Sequence, residues 1–224
     1  MPEEQGLLDI TLPRRRALGR SDFLVSGSNE TALSMIDADQ TWPNRQLALT
    51  GPEGAGKTHL AHVWMESSGA ERVVAARLLG GDVAPLASIG AVVVEDVDAG
   101  LEAGAEEALF HLLNLMRENG QPILLTSRAV PSACVLRLPD LASRVAGMTH
   151  VALSPPDDDL MRDLLIKQFE DRHLSVGPNV IAYLEKRIER SAKAAAEVAA
   201  ALDQASRRAA RGITIRLVKD ELGL

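Results

Sequence analysis

The chain has 224 residues, 46% hydrophobic and 25% charged, with a formal net charge of −7. That balance describes an ordinary globular protein long enough for one sizeable core, and it excludes disordered and fibrous classes. A bilayer span of about 18 apolar residues, a secretory signal after the acidic start MPEEQ and, with the single Cys134, a disulfide framework or cysteine-rich zinc site are also excluded, so a cytoplasmic protein without membrane contact is expected.

Residues 1–153 carry 12 Lys+Arg against 19 Asp+Glu, whereas residues 154–224 carry 12 of each. Neither part offers the broad basic face of DNA binding, and no direct sequence-specific DNA contact is expected. Lys57 is the single lysine of the first 153 residues.

That lysine lies in the strongest pattern of the chain. Leu47-Ala48-Leu49 reads as a short apolar strand, followed by Thr50 and then Gly51-Pro52-Glu53-Gly54-Ala55-Gly56-Lys57-Thr58. A helix is predicted from His59 onward. This is G-x-x-x-x-G-K-[ST] between a strand and a helix, the phosphate-binding loop or Walker A. Its glycines let the backbone wrap a phosphate and aim N–H groups inward. The helix adds the positive end of its dipole, Lys57 reaches the β- and γ-phosphates, and the Thr58 hydroxyl sits on Mg²⁺. Residues 51–59 are therefore the candidate nucleotide contacts. His59 closes that set, although His59 and His62 lack metal-ligand spacing and read by themselves as packing or surface groups.

Val73–Ala76 is a predicted edge strand. Ile89-Gly90-Ala91-Val92-Val93-Val94-Glu95-Asp96 is an apolar run ending in two acids, as expected of a strand covered on both faces and of a Walker B. In the usual form the first acid faces the metal and the second polarises water. Here Glu95 takes the metal side, one methylene longer than aspartate, and Asp96 the second place, which predicts weak intrinsic ATP hydrolysis at most. Residues 102–119 have helical periodicity closed by Gly120. Pro122–Thr126 is a further strand, with polar Thr126 and Ser127 at its end, and residues 148–153 form the last one. After the break at 154–159, helices are predicted over 158–172, 178–190 and 192–211, with a short fourth element near 215–222. Alternating strands and helices give an α/β fold, an αβα sandwich on a parallel sheet followed by a small all-helical domain. The expected organisation is a tail over 1–20, the nucleotide-binding domain over 21–153 and a helical lid over 154–224.

These motifs together resemble the AAA+ ATPases, and within them the bacterial initiator DnaA and its regulatory homologue Hda. Leu138-Pro139-Asp140-Leu141-Ala142-Ser143-Arg144 resembles the family's arginine-finger box. Residues 22–30 resemble the entry segment, where the backbone of Leu24 and Val25 borders adenine. Ala201-Leu202-Asp203-Gln204 and residues 213–220 resemble the Hda lid. The resemblance implies ADP or ATP with Mg²⁺ as ligands and Arg144 as a finger given in trans to a neighbour's ATP. Where DnaA has an aspartate after its Thr-Ser sensor, this chain reads Thr126-Ser127-Arg128, and the sensor role falls on Ser127. Arg190 and Lys193 are the candidates for the lid cation that touches the phosphates.

The implied partners are DnaA and the sliding clamp, the β subunit of DNA polymerase III, with a homo-oligomer as a further assembly. Gln5, Leu7, Leu8 and Ile10 resemble the clamp-binding peptide, with Gly6 where leucine is usual. DnaA continues beyond its lid into a DNA-reading domain and this sequence ends at Leu224, so the expectation is a regulator and not an initiator. The alternatives are a self-sufficient AAA+ motor, such as a helicase loader or remodelling ATPase, and a P-loop kinase, which the arginine box and the helical C-terminus fit poorly.

Overall fold

The computed structural model describes residues 18–224. Five strands form one parallel sheet in the order β2-β3-β4-β1-β5. They are β1 (Gln46–Thr50), β2 (Glu71–Val74), β3 (Val92–Glu95), β4 (Ile123–Ser127) and β5 (Thr149–Ala152). The three central strands are buried along their whole length, which is why they read as unbroken apolar runs.

Alternate residues of each strand feed two separate cores. On one face, α1 (Glu30–Asp37) and α2 (Lys57–Ser68) pack Leu33, Ile36, Leu60 and Trp64 onto Leu47, Leu49, Val93 and Leu124. On the other, α3 (Ala84–Ala87), α4 (Val97–Glu102), α5 (Glu106–Glu118) and α6 (Pro139–Ala146) cover Ala48, Val92, Val94, Ile123 and Leu125. The two tryptophans stack at 5.1 Å, and their indole N–H groups donate to Met35 O (Trp42, 2.7 Å) and to Asp39 Oδ2 (Trp64, 3.1 Å). Both rings thus bury their area without an unpaired donor.

The C-terminal helices are α7 (Asp158–Glu170), α8 (Pro178–Glu185), α9 (Ala192–Ala209) and α10 (Ile215–Leu222). They enclose a third core around Met161, Leu165, Phe169, Leu184, Leu202 and Val218. Asp157, Ser191 and Thr214 each cap a helix by accepting from the amide three residues on, at 2.8, 3.0 and 3.3 Å.

Several element boundaries differ from the sequence expectation. The run from Ile89 contributes only Val92–Glu95 to the sheet, because Gly90 takes a φ of +115° and sends the preceding residues to the surface. The predicted 102–119 helix is two, broken where Gly104 adopts a φ of +98°. The second strand ends at Val74 and turns at once into a single 3₁₀ turn, Ala75–Leu78, while α2 starts at Lys57, two residues early. Helix α8 stops at Glu185 and α9 at Ala209.

Gly100 shows how closely α4 packs. A Cβ there would stand 2.3 Å from Ala75 Cβ and 2.8 Å from the Ala75 carbonyl carbon. Gly100→Ala is expected to cost about 1–3 kcal/mol by overpacking, read as a lower midpoint in urea unfolding at unchanged slope.

Candidate functional site

Parallel strands bring their C-terminal ends to one edge of the sheet, where α/β folds hold ligands. There β1 runs into a loop whose turns are made by Gly51 (φ +148°), Gly54 (φ +76°) and Gly56 (φ +103°). The loop is anchored on both sides: Gly51 N–H donates to Ser127 O at 3.2 Å, and Leu153 N–H donates to Thr50 O at 2.7 Å. Helix α2 begins directly at Lys57, so its first-turn amides lack intrahelical acceptors and face the loop with the positive end of the helix dipole. Lys57 Nζ lies back across the loop and donates to Gly51 O (2.6 Å) and Pro52 O (2.9 Å). Burial pushes its pKa below the usual lysine value, against the pull of Asp96, Asp98 and Glu53. An anion in this cradle would meet both the ammonium and the amides. Thr58 is exposed beside it.

The neighbouring strand ends supply acids. The Glu95 side chain is 2% exposed; its Oε2 pairs with Arg72 on β2, and its Oε1 is buried without a partner. Asp96 stands exposed in the left-handed region (φ 56°, ψ 48°), with its N–H donating to Thr126 Oγ1 at 3.3 Å. Ser127 Oγ is likewise buried and unpartnered. Asp98, in the first turn of α4, pairs with Arg128, which also lies 3.7 Å from Glu102. Burial raises the Asp98 pKa, but the hydrogen bond and charge of Arg128, with backbone amides, outweigh it and hold the group below the usual aspartate value.

Two orphaned polar atoms at strand ends facing a phosphate cradle are what a missing polar ligand would leave. The Thr58 hydroxyl and the open oxygen of Glu95 are hard oxygen donors of the kind Mg²⁺ accepts, so the residues fit that ion. Among the described residues no group of three or more His, Cys, Asp or Glu could hold a metal alone. Any such ion would complete its shell with nucleotide oxygens and water.

Two further segments border the loop. Asn29 accepts from Ser26 N–H (2.9 Å) and donates to Leu24 O (2.8 Å), which fixes the backbone around Leu24 and Val25. Phe23 lies 3.8 Å from where a Gly56 Cβ would be. From the helical side, Ala192 N–H donates to Gly54 O at 3.0 Å, and Lys193 Nζ pairs with Glu53 at 2.7 Å. Of the two lid cations, Lys193 therefore meets the loop. Arg190 is turned toward the start of α7, where it bonds Pro156 O at 3.2 Å and pairs with Asp158. His59 is also turned aside: its ring packs edge-on against Phe23 at 5.1 Å, and its Nε2 meets Gly19 O at 3.2 Å.

Arg144 belongs to a different end of the molecule. Its guanidinium lies 5.7 Å over the Phe110 ring, and its Nε is buried without a hydrogen-bond partner. It lines a groove of about 430 Å³ with Asn44, Gln46, Phe110, Arg117, Asp140 and Met148. Gln46 is the first residue of β1, so the groove lies at the N-terminal ends of the strands, roughly 17 Å of strand away from the loop. The structure thus gathers residues 51–58, Glu95, Asp96, Ser127 and Lys193 at one site and keeps Arg144 apart. Gln5, Leu7, Leu8 and Ile10 lie outside the described residues. Sequence reasoning missed Arg72, Asp98 and Arg128. Arg128 carried a signal, as a cation directly after the polar strand end; Arg72 became visible only with the strand order.

Burial lowers the His59 pKa below the ordinary value of 6.5, so the folded chain resists protonating it. The unfolded chain then binds more protons, and stability falls as pH drops from about 6.5 toward the depressed folded value. His59→Gln is expected to flatten that part of the stability curve, measured by urea unfolding in steps between neutral and mildly acidic pH.

The Hda family's lid domain matches residues 157–222. Over 191 residues the chain is 26% identical to the chromosomal replication initiator protein DnaA of Acinetobacter baumannii, covering 76% of this chain and 40% of that protein. The chain thus spans well under half the length of the curated relatives it matches. Domain III of the Thermotoga maritima replication initiation protein DnaA superposes with a TM-score of 0.80 at 16% identity, over 95% of this chain and 98% of that one. AMPPCP-bound DnaA from Aquifex aeolicus gives 0.64 at 18% identity, over 76% and 60%. A RuvB structure from Thermotoga maritima gives 0.72 at 17%, over 93% and 72%. Among the described residues no helix is long and apolar enough to cross a membrane. With its phosphate-binding loop, parallel sheet and helical lid, the chain has the fold of these structures, and it is similar to the Hda family over its lid and to part of DnaA over most of its length.

Proposed function

We propose that this chain is a cytoplasmic, nucleotide-binding regulator of replication initiation that acts on DnaA and makes it hydrolyse its ATP. The observation that carries the reading is Arg144: an arginine with a buried, unpartnered Nε, held over Phe110 at the end of the sheet opposite its own phosphate loop. From there it serves a neighbour's nucleotide better than its own. The match of the lid to the Hda family points the same way.

In this reading, ADP or ATP sits with its phosphates on Gly51–Thr58 and its base against the backbone of Leu24 and Val25. Thr58 and Glu95 would hold Mg²⁺, which would supply positive charge to the phosphates. Asp96 and Ser127 flank the terminal phosphate, and Lys193 reaches it from the lid once released from Glu53. Glu95 in the metal-side place, already engaged by Arg72, keeps intrinsic hydrolysis weak. Gln5, Leu7, Leu8 and Ile10 dock on the sliding clamp, which concentrates the protein near DnaA on DNA. Arg144 then approaches the γ-phosphate of DnaA-bound ATP, where a guanidinium stabilises the charge of the transition state and is worth roughly 10³–10⁵ in rate.

The test is ATP hydrolysis by ATP-loaded DnaA in the presence of clamp-loaded DNA and this protein bound to ADP. The wild-type protein is expected to accelerate hydrolysis, and Arg144→Ala to lose at least about 100-fold of that acceleration while still binding nucleotide. Lys57→Ala is expected to lose nucleotide binding by about tenfold or more, measured by fluorescence titration with a labelled ADP, because it removes the ammonium that lies across the cradle. Failure of the wild-type protein to change DnaA hydrolysis would remove DnaA as the target.

A further inference from the structure

The two buried acids beside the phosphate loop each carry a cation of their own. Glu95, 2% exposed, is paired with Arg72, whose side chain is 41% exposed; Asp98, 9% exposed, is paired with Arg128, at 60%. In both pairs the carboxylate faces inward and the guanidinium reaches outward. Both stand at the loop's end of the sheet. Glu95 closes β3, which pairs with β4, and the end of β4 is tied to the loop through Gly51 N–H on Ser127 O. The charges of Asp98 and Arg128 both act on Lys57.

Carboxylates at a phosphate site repel the ligand unless positive charge stands between them, and a bound divalent cation is usually the largest such charge. Here two of the three carboxylates Glu95, Asp96 and Asp98 are already paired with guanidiniums. Asp96, exposed and within electrostatic reach of Lys57 and Arg128, is bonded to neither. We propose that Arg72 and Arg128 provide within the chain the charge balance that a divalent cation otherwise brings, so that the site takes a nucleoside diphosphate with little dependence on metal. The diphosphate is the relevant ligand because Lys57 and the loop amides can grip both of its phosphates. The inference rests on the nucleotide-binding reading above and adds to it the metal requirement and the two residues that set it.

The experiment is titration of the full chain with a fluorescent ADP analogue, once in excess Mg²⁺ and once in excess EDTA. The wild-type affinity is expected to agree between the two within about threefold. Arg72→Gln and Arg128→Gln each leave a buried carboxylate unbalanced, so each is expected to bind in Mg²⁺ and to weaken by about tenfold or more in EDTA. Arg72→Gln/Glu95→Gln, which removes the charge as well as its partner, is expected to regain metal independence. The ratio within one variant reports the metal requirement even where folding stability has dropped, and a structural role alone leaves that ratio unchanged. A wild-type loss of more than about thirtyfold in EDTA overturns the proposal, as does an unchanged ratio in both single variants. No binding in either condition overturns the nucleotide reading itself, an outcome distinct from metal-dependent binding.

Discussion

Two absent side chains let the site assemble. The loop after β1 is approached from three directions, and at each point of approach the residue is glycine. At Gly51 the end of β5 comes so close that a Cβ would stand 2.5 Å from Leu153 O; at Gly54 the lid brings Ser191 Cβ to the same distance; at Gly56 the entry segment sets Phe23 no closer than 3.8 Å. All three also hold positive φ, so the same positions that turn the chain around a phosphate admit the neighbours that border it. The motif is usually explained by the ligand alone. In this chain it is also the packing joint between the sheet, the lid and the entry segment.

The features legible in the sequence were those written locally. The phosphate loop is a contiguous pattern, the central strands are unbroken apolar runs because both faces are covered, and the lid helices follow the polar break at 154–159. What could not be read depends on strand order. Arg72 opposes Val93 in the β2–β3 register, and this alternation puts its side chain on the face that Glu95 shares two residues later. Nothing in the periodicity of residues 71–76 announces that neighbour. The pairing of Asp98 with Arg128 similarly requires α4 to start directly after β3, whereas the periodicity suggested a helix only from residue 102. Glycines with positive φ, at 90 and 104, explain the shortened third strand and the split helix, since hydrophobic pattern passes through them while the backbone does not.

The polarity of a parallel sheet separates the two chemical ends of the molecule. All strand termini that carry Thr50, Glu95 and Ser127 lie together, and all strand beginnings lie at the other end, with Gln46 and the Arg144 groove. A rigid, fully buried strand cannot fold back to bring one end to the other. The chain's phosphate cradle and the guanidinium of Arg144 are therefore complementary to each other in chemistry and unable to meet within one molecule. On the proposed function, each end would meet its counterpart through head-to-tail contact between related domains.

The lid is held to the loop less firmly than it is held to itself. Its own core is apolar and continuous, from Met161 through Val218. Among the described residues its attachment includes the Lys193–Glu53 pair with both side chains largely exposed, the Ala192–Gly54 backbone bond, the Lys167–Asp22 pair at 2.9 Å and the hydrogen bonds of Asp157 with Ser26 and Ser28. Exposed ion pairs contribute little and weaken with salt. The lysine of the first tie and the lysine of the loop are both held by protein oxygens that a phosphate would replace: Glu53 for Lys193, the Gly51 and Pro52 carbonyls for Lys57. A bound nucleotide would compete for both cations at once, so occupancy of the loop and position of the lid are coupled through the same two ammonium groups. A partner that reads the lid's position would then be reading which phosphates those lysines hold.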